Sequence, residues 1–155
     1  MLRDLFKAFA DTPFSHAIRA SSWAFAVTEM VHLMMLALMG GALLIGAVGL
    51  TGLAFRFPDR PGAWKALRHL SAWAFLGLTL SGVLLVGSNP MKYYFHPAFR
   101  VKMVLLAAAL AAWVGLDRVI ARPGTPPAEL MGGLPAAVLT LWLGVALAGR
   151  AIGLF

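Results

Sequence analysis

The chain has 155 residues, 61% of them apolar and only 12% charged, and its mean hydropathy is +0.83. Soluble domains carry about a quarter charged residues, and disordered chains are far poorer in apolar ones, so both classes are excluded. With no cysteine there is no disulfide framework, iron–sulfur cluster, thiolate metal site or cysteine nucleophile.

The expected class is an integral membrane protein, one domain over residues 1–155, in contact with the lipid bilayer. The net charge of +7 comes from basic residues that flank apolar runs. They read as headgroup anchors, and no nucleic-acid partner is expected.

Residues 1–11 come first. Leu2, Leu5, Phe6, Ala8 and Phe9 alternate with Arg3, Asp4, Lys7 and Asp11 at a helical period. This predicts a short amphipathic helix at the interface. Asp4 and Asp11 interrupt the stretch, so a cleavable leader is not expected. Thr12-Pro13 signals the start of a further helix running into the first span.

A spanning helix needs about 20 apolar residues. Four stretches qualify, at about 23–55, 64–86, 99–119 and 134–155. The breaks carry turn chemistry: Arg56 to Gly62, Ser88-Asn89-Pro90, and Arg122 to Pro127. Pro97 suits a first helical turn and leaves His96 near its N-cap. Small residues such as Gly40, Gly41, Gly46 and Gly49, Gly77 with Ser81, and Gly149 with Gly153 mark packing faces. The prediction is an all-α integral membrane four-helix bundle with a short amphipathic N-terminal helix. Arg3, Lys7, Arg19, Lys92, Arg100, Lys102 and Arg150 fall on the N-terminal side, against Arg56, Arg60, Lys65, Arg68, Arg118 and Arg122 on the other. That near-balance leans both termini toward the cytoplasm without fixing the orientation.

The first span contains Glu29 and His32. A carboxylate in hydrocarbon costs at least a few kcal/mol (about 2.5 or more) and is usually paired or functional. The two residues are three apart and share a helical face. On one reading Glu29 pairs with His32 or Lys102 and only orders the bundle. On the other, Glu29 orients a liganding His32. Glu-x-x-His is also a di-iron spacing, but that site needs a second motif and more carboxylates, and Asp117 is the only other plausible intramembrane acid.

Histidines are the obvious metal ligands. His32 and His96 fall toward one leaflet, His16 lies shallower, and His69 lies at the other leaflet. One b-type haem between His32 and His96 is therefore the expected pairing, rather than two stacked haems. Arg100 and Lys102, in the aromatic segment Met91–Lys102, would hold haem propionates or a quinone. Read blandly, the same segment is an interfacial aromatic belt. Met30, Met34, Met35 and Met39 around His32 give a copper alternative, since thioethers suit Cu(I); core packing is the plainer account of them.

Ser22-Trp23, Glu29-Met30-Val31-His32-Leu33, Gly40 and Gly41, Arg68, Trp73, Gly82, Tyr93-Tyr94 and Phe99-Arg100-Val101-Lys102 resemble an uncharacterised family of bacterial four-helix integral membrane proteins. The resemblance implies four helices in a bacterial inner membrane and supplies no activity. The family often has asparagine at position 96, which moves weight from His96 to His32.

The functional expectation is a small b-type haem-binding electron-transfer component, with His32 and His96 as metal ligands and Glu29, Arg100 and Lys102 around the cofactor. A quinone or other redox partner is the matching expectation. The alternatives are a copper-handling membrane protein, and a cofactor-free accessory subunit of a homo-oligomer or larger membrane complex.

Overall fold

The computed structural model describes residues 7–8, 11–13, 15, 21–122 and 128–154. The amphipathic helix expected over residues 2–9 lies outside the described residues, except that Lys7 and Ala8 are helical. At the second start signal, the Ser15 N–H donates to Thr12 Oγ1 at 3.3 Å. The Ser15 hydroxyl donates to the Gly87 carbonyl at 2.6 Å, tying this segment to the end of the second long helix.

Helix α1 spans Ser22–Thr51. It does not continue a helix from Pro13. Ser21 is extended and its hydroxyl accepts the Ala24 N–H at 3.3 Å, which is a fresh N-cap. The helix stops short of the expected residue 55 because Gly52 takes φ 73°. There its N–H and that of Leu53 return to the Val48 carbonyl at 2.9 and 3.3 Å, a turn that side chains with a Cβ resist.

Helix α2, Arg60–Ser88, is capped by Asp59, whose carboxylate accepts the Gly62 N–H at 3.1 Å. A short helix α3, Pro90–Phe95, follows where the sequence suggested only a turn and an aromatic belt. Asn89 starts it by accepting the Lys92 N–H at 3.4 Å. Helix α4 is Pro97–Ala121, and His96 precedes it without a side-chain cap bond. Helix α5 is Ala128–Leu154, with Pro135 inside it. Among the described residues there is no strand, and α1, α2, α4 and α5 are each long and apolar enough to cross a bilayer.

Packing places α1 beside both α2 and α5, and α4 beside α5. Lipid tails are as apolar as leucine, so close packing and hydrogen bonds hold such helices together. Glycines permit the approach: a Cβ at Gly77 would come within 2.8 Å of the Met35 sulfur.

No comparable seam joins α2 to α4. At the end remote from α3, that gap is bridged by Asp117. One carboxylate oxygen accepts the Trp64 Nε1–H at 2.9 Å and the other pairs with Arg68 at 3.4 Å. The acid noted in the sequence is thus a tie between α2 and α4.

The buried core sits in the same half of the bundle as this tie. Met39, Leu43 and Leu50 of α1 meet Trp64, Ala74 and Leu78 of α2, Ala109 and Leu116 of α4, and Val138, Trp142 and Val145 of α5. The other half, toward α3, is hollow.

Candidate functional site

The hollow is a cavity of about 550 Å³, within the range of roughly 300–1,000 Å³ that buries small ligands and cofactors. It runs along Phe25–Leu36 of α1, Phe75–Val86 of α2, Phe99–Leu106 of α4 and Trp142–Ile152 of α5, with Lys92 and Tyr93 of α3 at its mouth. Twelve residues of helix rise by about 16 Å, so it reaches roughly halfway across the hydrocarbon.

Inter-helix contacts set the levels inside it. Gly82 lies against the His32 ring, where a Cβ would sit 3.5 Å from Cε1. Gly149 lies against Lys102, where a Cβ would sit 3.4 Å from Nζ. Gly40 of α1 faces Trp142 of α5. These helices run antiparallel, so eight residues toward the mouth on each brings His32 level with Arg150, about 12 Å above Trp142. His32, Ser81, Lys102 and Arg150 thus form one polar layer. Glu29 lies one turn nearer the mouth.

His32 is held by Ser81. Its Nδ1 lies 2.9 Å from Ser81 Oγ. The single hydroxyl proton of Ser81 goes to the Gly77 carbonyl at 2.6 Å. With that proton engaged, Ser81 is placed to accept from a protonated His32 Nδ1. In the neutral ring that tautomer leaves the lone pair on Nε2. The orienting partner is Ser81, and not Glu29 as the helical spacing suggested.

Glu29 is exposed and lines the cavity. It interacts with Tyr93: burial pushes the Tyr93 phenol above its ordinary range, and the Glu29 carboxylate adds to that. Among the described residues, Lys92, Lys102 and Arg150 share the cavity wall with Glu29 as its one carboxylate.

The cavity thus brings together Glu29, His32 and Lys102 of the residues expected from sequence. His96 and Arg100 are not on its wall. His96 Nδ1 is buried without a partner among the described residues. The Arg100 guanidinium is 5.9 Å from the Tyr94 ring centroid and donates to the Tyr94 carbonyl at 3.5 Å. His69 is exposed at the opposite end, on α2, and His16 lies outside the described residues.

The methionines do not gather around His32. Met30 and Met34 are 64% and 56% exposed, and Met39 is in the core. Met35 lies against Gly77, and only Met103 of α4 lines the cavity. Among the described residues no three His, Asp or Glu side chains cluster as a metal site.

Sequence reasoning missed Ser81 as the partner of His32 and Arg150 as a cavity residue, whereas Lys92 and Tyr93 belong to the Met91–Lys102 segment it offered as a source of donors. Arg150 carried a signal of its own: it is a cation within the fourth apolar run, as anomalous there as Glu29 is in the first. Compared with known proteins, the chain matches no protein-family model, no curated protein and no solved structure.

Proposed function

We propose that the chain holds a b-type haem in this cavity and serves as an electron-transfer component of the membrane. The observation that carries the reading is His32, held by Ser81 on the wall of a largely apolar cavity that also carries Lys92, Lys102 and Arg150. Haem is a flat apolar body with two carboxylates and an iron that accepts imidazole, and it supplies one-electron chemistry when bound.

His32 would provide the protein's axial ligand through Nε2. Ser81 fixes the ring and its tautomer. Lys92, Lys102 and Arg150 offer donors to the carboxylates, Arg150 with a planar fork. Phe75, Leu78 and Val145 keep water from the deep end. His96 is off the cavity wall, so the reading rests on His32 alone. The resemblance in residues 22–33 and 99–102 is the basis for placing the protein in a bacterial inner membrane.

The test is a titration of haem into purified apoprotein, followed by absorption. Saturable binding that weakens on His32→Ala is expected. Binding that is equally tight without His32 contradicts the assignment.

A further inference from the structure

The cavity has a side opening as well as a mouth. Between α2 and α4 there is no seam comparable to those joining α1 to α2 and α4 to α5. The facing walls carry Thr79 and Val83 on α2 and Phe99 and Met103 on α4, all of which line the cavity. Val83 and Met103 are 53% and 47% exposed. The gap is closed at one end by the Asp117 tie and at the other by α3. It therefore faces the hydrocarbon of the bilayer.

Thr79, Val83, Phe99 and Met103 are all uncharged, so a charged species crossing between them would meet the full cost of leaving water. Just inside, Lys102 and the Tyr93 hydroxyl offer donors, beside the Glu29 carboxylate. Aromatic surface lies beside them, with Phe99 edge-on to Tyr93 at 5.6 Å. An occupant matching these three features is uncharged, lipid-soluble and flat, with hydrogen-bond-accepting oxygens.

We propose that the α2–α4 opening is a binding site for a membrane-dissolved isoprenoid quinone. Its ring docks between Val83 and Met103 and its carbonyl oxygens accept from Lys102 and Tyr93. The tail stays in the lipid. This goes beyond the haem reading: it rests on the helix packing, and a quinone would compete with haem for Lys102 and the same cavity.

The test uses the full chain in phospholipid vesicles with a photoreactive azido-quinone. The expected result is labelling confined to the α2 and α4 segments around the opening and displaced by unlabelled quinone. Val83→Trp or Met103→Trp, one on each wall, should lower it about tenfold, whereas Val104→Trp, at a lipid-facing position 70% exposed and off the cavity wall, should not. Labelling spread over all lipid-facing helices, unaffected by both wall variants, or displaced equally by extra phospholipid, overturns the proposal. Haem absorption, recorded on the same samples, reports on the haem reading separately.

Discussion

His32 Nδ1 and Ser81 Oγ are hydrogen-bonded at 2.9 Å, across 49 positions of sequence and between two different helices. The Ser81 hydroxyl donates to the Gly77 carbonyl at 2.6 Å. The pair fixes the orientation of the imidazole, and in its Nδ1–H tautomer Nε2 is the nitrogen left to bind a metal. Ser81→Ala should leave the fold intact and weaken haem binding about ten- to a hundredfold, the usual effect of losing a ligand's outer partner. Parallel haem titrations of the two proteins measure it. Equal affinities would remove Ser81 from the site.

Glu29 and Tyr93 should be coupled in alkaline titration. Burial and then the Glu29 carboxylate hold the Tyr93 proton, so its pKa is raised. The protonated phenol is favoured in the fold. That contribution is complete below the ordinary tyrosine value of about 10 and is lost as pH rises through the raised one. Ultraviolet absorption of tyrosinate should show a late phase that Tyr93→Phe removes. Glu29→Gln should move that phase to lower pH without abolishing it. An unchanged midpoint in Glu29→Gln would separate the two groups.

Asp117 should matter for stability and not for the cavity. Asp117→Ala leaves the Trp64 Nε1–H unpaired in a side chain only 7% exposed, a cost of roughly 1–3 kcal/mol. Asp117→Asn keeps an acceptor for Trp64. It loses only the pairing with Arg68, which is 45% exposed and is worth about 1 kcal/mol or less. Thermal unfolding in detergent should therefore rank Asn between wild type and Ala.

The glycines of α1 should separate by what they face. A Cβ at Gly49 would overlap the Phe57 ring, whereas one at Gly41 meets nothing within 4 Å. Gly49→Ala is expected to destabilise by roughly 1–3 kcal/mol through overpacking. Gly41→Ala should be neutral or slightly stabilising, since alanine is the better helix former. Thermal melts of the two variants check the contrast.

The spans were legible in sequence because a bilayer demands about 20 apolar residues and proline and glycine punctuate them plainly. The face carrying Glu29 and His32 was legible because three residues is nearly one helical turn. The rest depends on which helices are neighbours, and local periodicity carries no such information. Ser81 meets His32, and Arg150 joins the polar layer, only because α1 packs between α2 and α5. His96 looked like a ligand because it falls toward the same leaflet as His32, and Arg100 because it is a donor in the aromatic segment Met91–Lys102. Yet His96 sits at the helix start off the cavity wall, and Arg100 turns to Tyr94. Helix α3 was hidden because Ser88-Asn89-Pro90 ends one helix and starts another in the same three residues.

The most direct measurement is the absorption spectrum of the protein purified from cells supplied with haem, recorded beside His32→Ala. The haem account expects a Soret band in the wild-type protein and its loss or marked weakening in the variant, with both proteins folded by circular dichroism. A folded wild-type protein without a Soret band, or a variant whose band is unchanged, would contradict it.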